Sequence, residues 1–373
     1  MPDKSFDKVL ENFFSKSDKS DWKKIAMQET QGKDPFEILS WRGKDEILFL
    51  PYYDAEDVAN LHFLNGFQIP AAKNTSSEKR SWLSLPAVKA SDVVKANALA
   101  LSHLAFGAPG VLLDLRNLHH TDFNQLMQNI QWPNCSVAFQ LNPGQPLADP
   151  LSQFIKSKFQ PDSISGALFW ESIPKKSNFD FYFDYCKNFK ALGLIIPSSS
   201  PAIEISDALL AGVSVYESYS RPDAESVFKS ITFSLSTDAA FVESVAKLKA
   251  LRMLWFQVAQ SYGHNDYNIQ DLYIHARTQQ AGEGVYAPHE NMLTGTFAAI
   301  AAIIGGCDSL TIACEDEPPL VPRWAGNVSN ILREESFFNQ VSDPLAGCYA
   351  LESIVHSIAR QAWEIFQVKL PHI

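Results

Sequence analysis

The chain has 373 residues, of which 46% are hydrophobic and 20% are charged. It can therefore bury a full core, and its length allows either two domains or one large barrel. Its 31 Lys and Arg residues against 42 Asp and Glu residues give a formal charge of −11. Such a charge repels phosphate backbones and anionic lipid, so general binding to nucleic acid or to membrane surfaces is not expected.

The cysteines and the N-terminal residues bear on the cellular compartment in which the chain is expected. The five cysteines are widely spread and form no CxxC pair, which argues against a zinc knuckle and against a disulfide framework. The first residues are charged throughout and lack the apolar core of a signal peptide. No apolar run is long enough to span a bilayer. We therefore expect a cytoplasmic chain.

The predicted elements divide the chain in two. Residues 1–45 are polar with scattered aromatic residues and are predicted to form an N-terminal helical or extended arm, and residues 46–373 are predicted to form one barrel domain. The patterns Asp92–Gly107 and Asp238–Gly263 are helical, each opened by an Asp that can cap and closed by a Gly. The predicted strands are residues 81–85, 111–115, 136–141, 166–170, 192–197, 231–236, 272–277 and 309–313.

Eight strands that alternate with helices predict an α/β fold of the (β/α)8 TIM-barrel type. An open doubly wound sheet is disfavoured, since no glycine-rich phosphate fingerprint follows any strand. Several strands carry a small polar face: Tyr273, His275 and Arg277 alternate with apolar residues on one strand. Either these side chains lie at solvent-facing strand ends or in a wrong register, or they line a wet barrel axis that can admit a ligand.

From Ser230 onward the chain resembles the methylmalonyl-CoA mutase family of adenosylcobalamin-dependent acyl-CoA isomerases. The blocks that carry the resemblance keep their order and nearly their spacing: Ala240–Trp255, Ile274–Gly282, Glu290–Leu310, Glu315–Pro322, Arg323–Ser336 and Asp343–Glu352. The resemblance implies a (β/α)8 barrel with the acyl-CoA threaded along its axis. It also implies radical chemistry by adenosylcobalamin, which in active members sits on a C-terminal domain with an Asp-x-His-x-x-Gly motif. This chain has no such motif, so it is not expected to supply the lower cobalt ligand.

The family's active-site pattern is eroded in this sequence. The Tyr and the Arg-Pro-Trp run at the first strand are reduced to Trp82, and Pro197–Ser206 lacks the His that helps control the migrating carbonyl. Arg277 replaces the His of a His-x-Gln run in which Gln279 is kept, and Ala313 replaces an Asn. No catalytic or metal-ligating residue is predicted. The residual pocket positions are Arg277, Gln279, Ala313, Asp316 and Glu317.

Individual residues leave alternatives open. Arg277 contacts a phosphate or carboxylate of a ligand, or it pairs with Asp316 or Glu317 and plugs a disused tunnel, which we favour because an unpaired buried charge is costly. Gln279 and Glu317 are pocket residues or simply bond neighbouring loops. The remaining candidates are a loop ligand contact at His119 and His120, an acid/base pair of Asp114 and Glu171, and a serine nucleophile at Ser198–Ser200, which is disfavoured for want of a His base.

The sequence predicts a small (β) subunit of a heterodimeric methylmalonyl-CoA mutase, a non-catalytic partner of a catalytic large (α) subunit. The alternative is an active isomerase barrel that uses cobalamin carried by a separate chain, and a third possibility is the barrel portion of a longer subunit. Adenosylcobalamin is expected at the level of the complex and not on this chain alone. Acyl-CoA remains a possible ligand, whereas nucleic acid and membrane are not expected partners.

Overall fold

The structure is a computed structural model that describes residues 18–61, 81–118, 121–143, 145–173, 179–219, 224–279, 287–313 and 321–370. Its strands are β1 (Trp41–Arg42), β2 (Leu48–Phe49), β3 (Leu83–Ser84), β4 (Ala87–Lys89), β5 (Gly110–Asp114), β6 (Ser136–Leu141), β7 (Ser165–Trp170), β8 (Phe189–Ile195), β9 (Ile231–Thr237), β10 (Tyr273–Thr278) and β11 (Ser309–Thr311). Its helices are α1 (Lys19–Glu29), α2 (Pro35–Ile38), α3 (Ala55–Val58), α4 (Val93–Ala105), α5 (Phe123–Leu126), α6 (Ala148–Lys158), α7 (Asp180–Tyr185), α8 (Pro201–Ser218), α9 (Ala224–Ser230), α10 (Phe241–Ser261), α11 (Ala287–Gly305), α12 (Val321–Glu334) and α13 (Tyr349–Lys369).

A single parallel sheet runs in the order β3-β11-β10-β9-β8-β7-β6-β5-β4. Its two ends, β3 and β4, are pieces of one stretch of chain that is interrupted at Pro86. The Leu85 N–H donates to the carbonyl oxygen of Leu310 at 2.8 Å, and the Pro86 carbonyl oxygen accepts from the N–H of Leu112 at 2.9 Å. The stretch thus bonds one neighbour before the proline and the other after it, so the sheet closes into the predicted (β/α)8 barrel.

Each of the eight predicted strands has a counterpart in the barrel sheet, in the same order, and the first is divided into β3 and β4. The first strand is predicted to end at residue 85. The chain instead continues as β4, since the proline carbonyl still accepts a bond. The strand β8 begins at Phe189, before the predicted residue 192, and β11 ends at Thr311, before the predicted residue 313.

Helices cover the outside of the barrel, and the predicted helix ends are confirmed in part. Asp92 caps α4 by accepting from the N–H of Lys95, and Gly107 follows this helix with φ +89°. At α10 the cap residue is Ala240, while the carboxylate of Asp238 accepts from the Ala240 N–H. The final helix, α13, packs against both α8 and α10. The helices that follow β8 and β9 are thereby fixed against the barrel wall.

Residues 18–61 form short helices and the hairpin β1–β2, which contacts the loops after β8 and β9. The Lys44 N–H donates to Glu243 Oε1 at 2.7 Å, and Asp45 Oδ2 accepts from the Ala202 N–H at 2.7 Å. At Gly43 an added Cβ would lie 2.0 Å from Glu243 Oε1, so this approach needs a glycine. The predicted boundary at residue 45 falls inside the hairpin, and the division into arm and barrel stays a prediction.

Two buried clusters make up the core. The large one lies between the barrel and its helices, and the small one lies inside the barrel around Leu85, Leu112 and Phe169. In the part of the chain that the structure describes, no helix has both the length and the apolar character needed to cross a bilayer. The inner cluster bears directly on whether the barrel axis is open.

Candidate functional site

The polar faces of the strands point into the barrel. In the register of the sheet, His275 of β10 lies between Ser234 of β9 and Ser309 of β11, and Arg277 follows two residues later on the same face. The side chains of Ser234, His275 and Ser309 are buried, with exposures of 1% or less. The alternation predicted from the sequence is therefore correct, and the alternative that these residues face solvent is wrong.

His275 is held at both ring nitrogens. Nδ1 lies 2.8 Å from Ser234 Oγ, and Nε2 lies 3.0 Å from Thr311 Oγ1. The Thr311 hydroxyl donates its proton to the carbonyl oxygen of Leu85 at 2.7 Å, so it can only accept from the histidine. Nε2 therefore carries the proton, and Nδ1 accepts from Ser234. Burial, with a smaller contribution from the charge of Arg277, lowers the pKa of His275 to about 3, which keeps the ring neutral.

This layer fills the barrel axis. The ring of Phe169 stacks on the His275 imidazole with centroids 4.6 Å apart, and Phe169 packs with Leu85 and Leu112 in the inner cluster. These three apolar side chains are at most 2% exposed. The axis is polar in composition but closed at this depth, because His275 bonds Ser234 and Thr311 and the Phe169 ring covers the imidazole. The expectation of a wet axis that admits a ligand is wrong for this layer.

Above this layer, at the carboxyl ends of the strands, the barrel opens into a cavity of about 370 Å³. In a TIM barrel this end is where active sites form. The cavity is lined by Arg116, Gln140, Glu171, Ile195, Ile196, Pro197, Ser198, Ser236, Arg277, Thr278 and Gln279. Two of the five predicted pocket positions, Arg277 and Gln279, are among these residues.

Arg277 is the mostly buried cation of the cavity. Its Nη2 donates to the carbonyl oxygens of Ile196 at 3.0 Å and Ser234 at 3.3 Å, and its buried Nε has no acceptor. Burial lowers the pKa of Arg277. Within the described residues no carboxylate lies within ion-pair distance of this guanidinium, and Glu204 and Glu171 act on its charge only from a longer distance.

Asp114 and Glu171 were considered as an acid/base pair. In the structure both carboxylates bond Arg116, a residue that the sequence analysis did not single out. Arg116 binds Asp114 through two bonds, Nε to Oδ1 at 2.9 Å and Nη2 to Oδ2 at 2.8 Å, and its Nη1 donates to Glu171 Oε1 at 3.1 Å. These bonds to Asp114 are the first cause of a raised pKa for Arg116. Both carboxylates thus bond the same guanidinium, and no hydrogen bond between Asp114 and Glu171 is seen among the described residues.

Comparison with known proteins shows which sequences this chain is similar to. Residues 199–369 match the family described as Methylmalonyl-CoA mutase. The methylmalonyl-CoA mutase small subunit of Porphyromonas gingivalis is 25% identical over 367 residues, covering 89% of this chain and 59% of that protein. The methylmalonyl-CoA mutase of Escherichia coli K12 is 35% identical over 129 residues, covering 33% of this chain and 18% of that protein.

Residues 199–369 are therefore similar to the methylmalonyl-CoA mutase family, and the similarity to a named small subunit extends over most of the chain. A similar match joins it to the methylmalonyl-CoA mutase of Cereibacter sphaeroides, which is 22% identical over 93% of this chain and 57% of that protein. These two matches, to the Porphyromonas and Cereibacter proteins, cover most of this chain. The chain in turn spans a little over half the length of each of these relatives. Its likeness to a named small subunit agrees with the resemblance found in the sequence.

The other family-pattern positions are placed unevenly. Gln279 donates through Nε2 to Ser198 Oγ, so one residue of the disfavoured serine run is a hydrogen-bond partner at the cavity. Ala313 follows β11, where its N–H donates to Thr278 Oγ1 at 2.9 Å. Asp316 and Glu317 lie outside the described residues, as do His119 and His120. The proposed pairing of Arg277 with Asp316 or Glu317 therefore stays a prediction.

Trp82, the residue kept from the family's first-strand pattern, is not at the cavity. Its indole N–H donates to Ser329 Oγ at 2.7 Å, and the guanidinium of Arg333 lies 4.8 Å from the ring centroid. Arg333 also donates to the Trp82 carbonyl oxygen at 2.6 Å. In this chain Trp82 ties the first strand to α12 as a packing residue.

A buried ion pair beneath the cavity escaped the sequence prediction. Lys247 Nζ donates to Glu204 Oε2 at 2.7 Å and to the Ser236 carbonyl oxygen at 2.6 Å, while Glu204 Oε1 accepts from the N–H and the hydroxyl of Ser236. Glu204 is fully buried and Lys247 is nearly so.

Proposed function

We propose that this chain is the small subunit of an adenosylcobalamin-dependent methylmalonyl-CoA mutase, acting in the cytoplasm as a non-catalytic partner of a large subunit. The complex would interconvert methylmalonyl-CoA and succinyl-CoA. The observation that carries the proposal is the closed layer around His275. The family resemblance implies an acyl-CoA threaded along the barrel axis, and here that axis is occupied by paired polar groups and the Phe169 ring.

The stretch that bears the family's carbonyl-contacting His supports the same proposal. Residues 197–206 have no histidine, and Pro201 begins α8, where its fixed φ suits a first helical position. The Ser200 hydroxyl before it is buried without a partner. Glu204, one turn later, is committed to Lys247 and Ser236. This stretch therefore offers a migrating carbonyl no hydrogen-bond donor comparable to an imidazole.

Two of the described histidines, His275 and His264, do not fit a cobalt ligand. Both nitrogens of His275 are bonded inside the closed layer, and His264 Nε2 lies 3.0 Å from the Tyr216 hydroxyl. We assign no described residue to a cobalamin step, and propose that the cofactor is held by another chain of the complex.

A second candidate is an active acyl-CoA isomerase barrel that uses cobalamin from a separate chain. The observation that favours it is the cavity at the carboxyl ends of the strands, where TIM-barrel chemistry takes place. Its weakness is that the cavity stops above the His275 layer. It would need the substrate to bind without passing along the axis.

Reconstituted turnover separates the two candidates. Conversion of methylmalonyl-CoA to succinyl-CoA is measured with adenosylcobalamin and the chain alone, the chain plus a cobalamin-domain protein, and the chain plus a full large subunit. We expect turnover only in the third mixture, together with co-elution of the two subunits in gel filtration. Turnover in the second mixture would overturn the non-catalytic role, and failure to co-elute would overturn the partnership.

A further inference from the structure

The cavity at the carboxyl ends of the strands has no task in the proposed function. Its volume of about 370 Å³ is in the range of small-molecule pockets, at the lower end. Polar side chains from β6, β9 and β10 and from the segments that follow β5, β7 and β8 converge on it. A site formed by so many strand ends is positioned by the whole barrel and not by one loop.

Among the described residues that line the cavity, Arg277 is the cation without an ion-pair partner. The carboxylate of Glu171 also lines the cavity, but it accepts from Arg116, and Glu204 beneath it accepts from Lys247. Arg277 has two carbonyl oxygens as acceptors for Nη2 and, among the described residues, no acidic partner. A mostly buried guanidinium paired only with carbonyl dipoles gains from a second acceptor with full negative charge.

Neutral donors surround this guanidinium. The side-chain amide of Gln140 lines the cavity and has no hydrogen-bond partner among the described residues. The Ser198 oxygen already accepts from Gln279 Nε2, so its own hydroxyl proton is available for an acceptor in the cavity. An amide, a hydroxyl and a guanidinium together form a donor set suited to an oxyanion.

We propose that this cavity binds a small oxyanion, a carboxylate or a phosphate, with Arg277 as its principal contact and Gln140 and Ser198 as additional donors. The ion would pair with a guanidinium that has no ion-pair partner among the described residues. A planar carboxylate matches the guanidinium fork through two parallel bonds, whereas a phosphate also accepts from a point charge. This difference allows the two sources to be distinguished by substitution.

The test is calorimetric titration of the full chain, without a large subunit, in a chloride buffer at neutral pH. Inorganic phosphate and malonate are titrated separately at matched ionic strength. We expect saturable binding of at least one of them, weakened about tenfold or more in Arg277→Gln, which corresponds to about 1.4 kcal/mol. The matched control is Arg360→Gln, an exposed arginine on α13, which should leave binding unchanged. In Arg277→Lys, phosphate binding should be retained, because a phosphate also accepts from a point charge, and malonate binding should be lost.

Two further variants keep the test decisive if Arg277→Gln does not fold. Gln140→Leu and Ser198→Ala each remove one neutral donor, and each should weaken binding several-fold. No saturable binding by the wild-type chain would overturn the proposal, and so would unchanged binding in a folded Arg277→Gln or in both further variants. Because the large subunit is absent from these titrations, their failure is distinct from failure of the turnover and co-elution experiment.

Discussion

Two layers of the barrel interior, represented by His275 and Arg277 two residues apart on β10, differ in how their polar side chains are paired. At the inner layer His275 is neutral and each ring nitrogen has a hydroxyl partner. At the outer layer Arg277 is charged, and its partners are two backbone carbonyl oxygens. The inner layer behaves as core, since the hydrogen bonds at both nitrogens of His275 hold the ring in one orientation. In the outer layer the Nε of Arg277 has no acceptor among the described residues, and a donor left free in this way is typical of binding sites rather than of cores.

The largest expected effect concerns the ion pair beneath the outer layer. Glu204→Ala or Lys247→Met alone leaves an uncompensated buried charge, so each should lower the free energy of unfolding by about 3–5 kcal/mol. The double variant Glu204→Leu with Lys247→Met should recover much of this loss. Urea denaturation gives the values.

The control for the ion pair is Lys369→Met, which breaks the half-exposed pair with Asp207 and should cost at most about 1 kcal/mol. Equal losses at the buried and the exposed pair would show that Glu204 and Lys247 are not desolvated as the structure has them.

The inner layer should respond to acid. His275 has a pKa of about 3 in the folded chain and an ordinary value near 6.5 when unfolded, so the unfolded chain takes up the proton first as the pH falls. Its stabilising contribution is complete above about pH 6.5 and is lost toward pH 3, at up to about 1.4 kcal/mol per pH unit.

The comparison variant for this pH dependence is His275→Phe, which has no titrating group at this position. Urea denaturation of both chains between pH 7 and pH 4.5 should give a steeper decline for the wild type. Parallel declines would mean that the imidazole reaches solvent and that the inner layer is open.

Arg252 and Arg277 give a smaller contrast. Arg252 donates to three backbone carbonyl oxygens and to Asp308 at 2.9 Å, whereas Arg277 has no acidic partner among the described residues, and the Nε of each lacks an acceptor. Arg252→Gln should therefore cost about 2–3 kcal/mol, and Arg277→Gln less than about 1 kcal/mol. Thermal and urea unfolding measure both, and a larger loss at Arg277 would contradict an under-compensated charge.

The smallest effect is expected where the hairpin meets the barrel. Ser200 makes no capping bond at the start of α8, and Asp45 from the hairpin accepts from Ala202 in its place. Asp45→Ala should cost about 1 kcal/mol of unfolding free energy. Asp45→Asn keeps an acceptor and tolerates the positive φ of this residue, so it should stay close to wild type. A loss as large in Asn as in Ala would exclude capping as the role.

The fold followed from the sequence more fully than the site did. Strand alternation placed His275 and Arg277 on the same face of β10, because a period of two fixes the face of every residue, but it left open whether that face points into the barrel. Alternation carries no information on what lies across the axis, so the pairing of His275 with Ser234 and Thr311 was not predicted.

The residues missed in sequence became neighbours only through the closed sheet. Arg116 follows β5 and Glu171 follows β7, and neither spacing nor composition joins them. Glu204 and Lys247 lie on different helices and meet at the end of β9. The first strand continues past its predicted end at residue 85. Pro86 has no N–H to donate to the ladder, but its carbonyl oxygen still accepts a hydrogen bond from Leu112.

The closure of the inner layer is tested most directly by nitrogen-15 NMR of the His275 side chain, with His275→Phe used to assign its signals. We predict a neutral ring with the proton on Nε2, unchanged between pH 8 and pH 5, and slow exchange of that proton with solvent. Titration near the ordinary histidine pKa, or a proton on Nδ1, would contradict a closed axis and would reopen the isomerase candidate.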